Sequence, residues 1–353
     1  MPRLPALALL LLLVPVAGLA VPEPDPGLPR GAVPAAAIQL DPRPDTDTAP
    51  ARPAPTPDPA PAPAPPPGPV PASRPTPTPF TLPDTEVWPI RANALGRDYR
   101  VYVGLPESYA RQPQRRYPVL FVTDADYAFP LIRSIAARLG NRAHGLEEFI
   151  LVGLSYSDGD SPLYSRRRDY TPTPNGERTP DPSGRRPVFG EAEAYRRFLA
   201  DQLMPFVAAT YRTDRNRNIY AGHSYGGLFG LHILLTAPEM FSHYIIGSPS
   251  LWFDDRVMIK REAERAKTEK DLPARVYMAI GSYETTAPGN DDPRHSRSLD
   301  MVADLRGFER ALRSRAYPGL ALETEVVAEE DHLSVFPAII SRGLAWALPA
   351  RRR

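Results

Sequence analysis

The segment Asn218–Leu235, "NIYAGHSYGGLFGLHILL", sets one serine, Ser224, between Gly222 and Gly226. An apolar, strand-like run precedes it and a helix-like run follows. Gly-x-Ser-x-Gly at such a junction is the pattern of a tight turn that lifts a serine hydroxyl above the carboxyl edge of a sheet. Without that context the same residues would make a plain glycine-rich turn. A serine alcohol is a poor nucleophile unless a base takes its proton. On a sheet of this kind the partners follow in the order Ser, acid, His. Four histidines lie downstream: His232, His243, His295 and His332. His232 falls inside the helix after the turn, His243 begins the next strand and His295 sits in a polar loop. His332, in "VVAEEDHLSVFP", follows the last strand and is the expected base. The acid is expected after the strand "VYMAIGS", where Glu284 stands, with Asp291, Asp292 and Asp300 as competitors.

Acyl transfer also needs N–H donors for the oxyanion. The backbone amide of Tyr225, just after the serine, is one candidate. The amide of Asp126, in the loop after "VLFVTD", is the other. Asp124 and Asp126 could instead suggest a metal, but two aspartates without clustered histidines argue weakly for one. No metal or cofactor is expected. Arg166 and Arg168, in the run "RRRDYTPTP", could attract an anionic substrate or form a solvated basic loop. Trp252 and Phe253 could wall a pocket or pack in the core.

These residues need a scaffold, and the sequence describes one. Continuous apolar runs, "YPVLFV", "FILVGLSY", "NIYAGHS", "FSHYIIG" and "ARVYMAIG", alternate with helical patterns such as "EAYRRFLADQLMPFVAATY". That alternation predicts an α/β fold with a mostly parallel sheet covered by helices on both faces. "IRANALGRDYRVYVGLP" reads as a hairpin in front of it. Leu299, Val302, Leu305, Phe308 and Leu312 share one face of a late helix. Ser157 to about Pro187 reads as a polar loop.

Composition changes sharply along the 353 residues: nearly half of the 46 prolines fall between Pro22 and Pro79. Residues 1–20 carry Arg3, an apolar run from Leu4 to Val16 and small residues at Gly18 and Ala20. They read as a cleavable signal peptide, with an uncleaved anchor as the other reading. Residues 21–80 read as a disordered proline-rich linker and 81–353 as the folded domain. The expected location is exported, periplasmic or secreted, with no stable membrane insertion once the leader is cut. A net charge of +1 points to no nucleic-acid partner. The absence of cysteine excludes disulfides and a thiol nucleophile.

From about Leu82 to Leu348 the chain resembles the "Putative esterase" family of α/β-hydrolases, in its siderophore trilactone esterase-like branch. The resemblance rests on "YPVLFVTDAD", "RRRDYTPTP", "GHSYGGLFGLHILLTAPEMFSHYIIGSPSLWFDD", "AIGSYE" and "DHLSV". It implies an α/β-hydrolase fold and a Ser224–His332–Glu284 triad, with Tyr225 and Asp126 at the oxyanion hole. It further implies carboxylic ester hydrolysis through an acyl-enzyme. The expected partner is a small-molecule ester, a siderophore-type lactone first. An acyltransferase or thioesterase would use the same residues. A non-catalytic binding module on the same scaffold is the alternative from another class. Ala125 stands where the family has Gly, Tyr225 where Leu is commoner and Phe253 where a second Trp is usual.

Overall fold

The computed structural model describes residues 77–140 and 145–350. The expected leader and all of the linker before residue 77 lie outside the described residues. Residues 77–80 are irregular and exposed.

Eight strands form one sheet in the order β1-β2-β4-β3-β5-β6-β7-β8. The hairpin β1 (Thr85–Ala92) and β2 (Arg97–Gly104) is antiparallel, and β2 pairs antiparallel with β4 (Ile150–Ser157). From β4 onward every pairing is parallel, through β3 (Tyr117–Val122), β5 (Thr213–His223), β6 (His243–Gly247), β7 (Ala274–Gly281) and β8 (Leu320–Val327). All six residues of β3 are buried, as expected of a strand covered on both faces. The edge strand β1 carries Pro89, which an interior strand would not tolerate.

Helices α1 (Ala125–Gly140) and α8 (Phe336–Ala347) share a core on one face, where Phe129, Ile132, Ile339 and Leu344 meet Leu120 and Ile245. The opposite face is covered by α3 (Ala192–Phe198), α4 (Met204–Thr210), α5 (Tyr225–Thr236), α6 (Phe253–Thr268) and α7 (Met301–Ser314). A π-helical turn, Leu199–Leu203, joins α3 to α4. In α7 the expected stripe buries Leu305, Phe308 and Leu312, while Leu299 and Val302 pack at its margin.

Two helices depart from the sequence reading. The loop expected from Ser157 contains α2 (Pro162–Asp169), and α6 was not anticipated at all. In α2 the Ser161 hydroxyl caps the Tyr164 amide at 3.2 Å and proline occupies the first turn. Its buried side chains include Ser165, Arg167, Arg168 and Asp169, so ion pairing rather than hydrophobicity covers them. A hydrophobic period therefore never develops. The α6 sequence, "FDDRVMIKREAERAKT", likewise buries only Phe253, Met258 and Glu262.

Strands β3 and β5 are neighbours, yet β3 leads through α1 toward β4 while β5 leads through α5 toward β6. The chain thus diverges between them, which opens a crevice at their carboxyl ends.

Candidate active site

Ser224 sits at that crevice with φ 59° and ψ −118°, a backbone region costly for any residue with a Cβ. The turn is held by the Ser224 amide donating to the Gly247 carbonyl at 3.0 Å. Its glycines are required by space. A Cβ on Gly222 would lie 2.5 Å from the Gly226 carbonyl oxygen, and one on Gly226 would lie 2.3 Å from Thr123 Oγ1. The second contact also brings the start of α5 against the loop after β3. Tyr225 is the first residue of α5 and Asp126 the second of α1, so both amides belong to first turns that lack intrahelical acceptors. Two helix N-termini therefore meet beside the serine, an arrangement that favours negative charge.

The histidine and carboxylate come from the far side of the sheet edge. His332 Nδ1 lies 2.6 Å from Glu284 Oε2. The other oxygen, Oε1, accepts from Ser248 Oγ at 2.6 Å and from the Gly281 amide at 2.9 Å. Glu284 is 2 % exposed, and these three partners satisfy its carboxylate. Two of the three competing acids are elsewhere engaged: Asp300 caps α7 through the Ala303 amide, and Asp292 pairs with Arg294. The loop bearing His332 is tied to the one bearing Glu284, with the Tyr283 amide donating to the Glu330 carbonyl at 3.0 Å. A Cβ on Gly281 would fall 2.3 Å from that same oxygen.

Ser224 and His332 are not hydrogen-bonded to each other. Ser224 Oγ lies 3.5 Å from Ser250 Oγ, and His332 reaches the elbow through His223, whose ring centroid is 4.7 Å away. His223 is buried and held neutral, its pKa pushed well below the usual histidine value by burial and by the nearby His332 and Arg166. Catalytic hydrogen bonds are often long without substrate and tighten when it binds.

Arg166 stands at this edge, its Nε 2.9 Å from Asp124 Oδ1 and its Nη2 donating to the His223 carbonyl at 3.3 Å. Its guanidinium faces the Tyr225 ring at 5.6 Å, and about a fifth of its side chain, 19 %, stays exposed. Burial pushes the Asp124 carboxyl up, while Arg166 and the Tyr156 hydroxyl pull it back. Arg168 corrects the expectation that it faces substrate. It is buried, bonded to Asp169 through Nε at 2.8 Å and to Asp160 through Nη1 at 2.7 Å, so its charge is consumed inside the fold. Trp252 is half-buried, its ring 6.0 Å from that of Tyr225.

Sequence reasoning did not single out Ser248, Ser250 or His223. "GSPS" lay within the family resemblance, but only the fold puts Ser248 against Glu284 and Ser250 against Ser224. Among the described residues no group of three or more His, Asp or Glu side chains could hold a metal ion. Among them, too, no helix is long and apolar enough to cross a membrane.

A mostly parallel sheet with a serine elbow at its switch point and helices on both faces is the α/β-hydrolase fold. Within it the chain belongs to the esterase family: the family model described as "Putative esterase" matches residues 92–319. The protein is accordingly an enzyme that hydrolyses carboxylic esters. It is 31 % identical over 275 residues to the ferri-bacillibactin esterase BesA of Bacillus subtilis, covering 76 % of this chain and 91 % of that one. It is 29 % identical to the siderophore triacetylfusarinine C esterase of Aspergillus fumigatus, over 74 % and 92 % of the two chains. Among solved structures, the siderophore hydrolase EstB from Aspergillus nidulans superposes with a TM-score of 0.63 at 25 % identity, covering 78 % of this chain and 99 % of that one. An IroE-like serine hydrolase from Shewanella oneidensis superposes at 0.61 with 26 % identity, over 74 % and 78 %.

Proposed function

We propose that this protein is a serine esterase that cleaves siderophore-type esters, with Ser224 as nucleophile, His332 as base and Glu284 as the acid that orients it. The observation that carries this reading is the 2.6 Å bond from His332 Nδ1 to the buried Glu284, at the same sheet edge as the strained Ser224. Glu284 fixes the imidazole with Nε2 free to face the serine. In the first step Ser224 Oγ attacks the ester carbonyl and His332 takes its proton. The oxyanion is held by the amides of Tyr225 and Asp126. Collapse expels the alcohol, which receives the proton from His332. Water, activated by the same imidazole, then attacks the acyl-enzyme and frees Ser224. Glu284 stabilises the imidazolium without taking its proton.

The siderophore class is supported by the names of the relatives. We further read residues 1–20 as an export leader and 21–80 as a tether to the catalytic domain, which places the enzyme outside the cytoplasm. The N-terminal mass of the protein recovered from its native source checks this: a chain beginning at Val21 supports it, and an intact Met1 contradicts it.

The central test compares the full chain with Ser224→Ala on p-nitrophenyl acetate, p-nitrophenyl butyrate and a catecholate trilactone. The expected result is loss of all three activities in the variant and a trilactone kcat/KM well above that of acetate. Undiminished turnover in folded Ser224→Ala overturns the nucleophile assignment, and absence of trilactone turnover overturns the substrate class.

A further inference from the structure

Three consecutive residues at the start of α6, Asp254, Asp255 and Arg256, have φ of 46°, 50° and 60°. None is glycine, and the left-handed conformation costs each about 1–2 kcal/mol. Such strain persists only where surrounding contacts over-determine it. Here they do so at both ends. Asp254 Oδ2 accepts from Thr173 Oγ1 at 2.6 Å and from Asn175 Nδ2 at 3.1 Å, while Arg256 Nε pairs with Asp304 Oδ1 at 2.6 Å.

Thr173 and Asn175 belong to residues 170–190, an irregular and mostly exposed segment between α2 and α3. Its apolar anchors stand near its two ends: Tyr170 stacks on Phe229 with centroids 5.6 Å apart, and Phe189 stacks on Phe253 at 5.9 Å. Polar ties pin the stretch between Thr173 and Thr179 at its two ends. One is Asp254; the other is Arg167 Nη1, which donates to the Thr179 carbonyl at 2.8 Å. Between them Glu177 approaches Arg167 to 3.9 Å, and Gly176 lies against the Phe189 ring, where a Cβ would fall 2.3 Å from it. Tyr225 follows the nucleophile and carries Phe253 against its ring at 6.1 Å. The pinned stretch is thus joined through Phe189 and Phe253 to the Tyr225 ring beside Ser224, and the left-handed turn carries the Asp254 carboxylate that holds Thr173.

We propose that Asp254 is a specificity-determining positioning residue: it latches the 173–179 stretch as one wall of the ester site and so sets how well bulky acyl groups are held. The proposal rests on the serine esterase reading for its consequence in catalysis, but not for the latch itself. An acetyl group is too small to reach this wall, whereas a benzoyl or trilactone acyl group would lean on it. Asp254→Ala removes the oxygen to which both Thr173 and Asn175 donate. Asp254→Asn keeps an oxygen for Thr173 and loses only the charge.

The test uses the full chain as wild type, Asp254→Ala, Asp254→Asn and Thr173→Val, with Ser224→Ala alongside. The first readout is trypsin cleavage after the exposed Arg178, which lies within the pinned stretch. We expect at least tenfold faster cleavage in Asp254→Ala, an intermediate rise in Thr173→Val and little change in Asp254→Asn. The second readout is kcat and KM on p-nitrophenyl acetate and p-nitrophenyl benzoate. In Asp254→Ala the benzoate KM should rise at least fivefold, with acetate kinetics within twofold of wild type. Unchanged cleavage at Arg178 overturns the latch. Faster cleavage with equal losses on both esters, or with no loss on either, overturns its role in specificity. Acetate turnover that survives in Ser224→Ala defeats the nucleophile reading instead, and leaves the cleavage result to judge the latch on its own.

Discussion

Arg166 and Arg168 stand two residues apart on α2 and end in different parts of the protein. Two residues turn a helix by roughly 200°, so the two side chains leave on nearly opposite sides. Arg166 meets Asp124, the His223 carbonyl and the Tyr225 ring, all within one residue of Ser224 or just past the end of β3. Arg168 meets Asp160 and Asp169, and Asp169 also accepts from the Tyr99 hydroxyl at 2.9 Å. Both arginines are held by buried carboxylates at salt-bridge distance. Equal pairing physics thus serves two places: one cluster lies beside Ser224, the other ties α2 to Asp160 and Tyr99. Removing one partner of a buried pair typically costs 3–5 kcal/mol, because the other charge is left uncompensated. The two clusters should therefore look alike in stability and unlike in catalysis.

The largest expected effect breaks the site cluster. Arg166→Met should lower kcat/KM on p-nitrophenyl acetate by about 100-fold, roughly 2.7 kcal/mol, and lower unfolding stability by about 3–5 kcal/mol. The double variant Arg166→Met/Asp124→Leu should regain most of the stability in urea denaturation but not the turnover. Recovery of both would make Arg166 a purely structural residue.

Arg168→Met comes next. It should cost about 3–5 kcal/mol of stability while kcat per folded molecule stays within about twofold of wild type. A loss of turnover matching that of Arg166→Met would erase the distinction between the clusters.

Buried histidines extend the comparison to pH. His223 lies beside the Arg166 cluster and His232 lies away from it, its pKa pushed down to about 4 by burial and by Arg261. A histidine with a depressed folded pKa binds fewer protons folded than unfolded. Its contribution is present above the unfolded value near 6.5 and is lost as pH falls toward the folded value. His232 alone should make the protein on the order of 3 kcal/mol less stable at pH 4 than at pH 7. In thermal melts across that range, His232→Gln should flatten this acid slope, and an unchanged slope would remove His232 from the account.

The smallest effect concerns Glu284. Ser248→Ala removes one of the three bonds to its carboxylate and should cost about 1 kcal/mol, seen as a several-fold lower kcat with KM unchanged. An altered KM would mean that Ser248 acts on substrate rather than through Glu284.

Much of this molecule was legible before folding. The parallel sheet could be read because strands buried on both faces must be apolar throughout, and "YPVLFV" is. Ser224 could be read because its turn demands glycine on both sides, and space allows nothing else at Gly222 or Gly226. His332 and Glu284 could be placed at the ends of the right strands by chain order. The helices α2 and α6 could not be read, since their buried faces are polar or short and carry no hydrophobic period. Arg166 and Arg168 were indistinguishable for the same reason: pairing with a carboxylate leaves no mark on the arginine's own sequence.

The sequence by itself determined which residues could do chemistry, because nucleophile turns and buried strands are local demands that only certain residue types meet. The tertiary structure alone decided which carboxylate receives His332, which arginine stands at the serine and which loop Asp254 holds. Those are contacts between residues 48, 42 and 81 positions apart in the chain, set by the packing of strands and helices that no local pattern records.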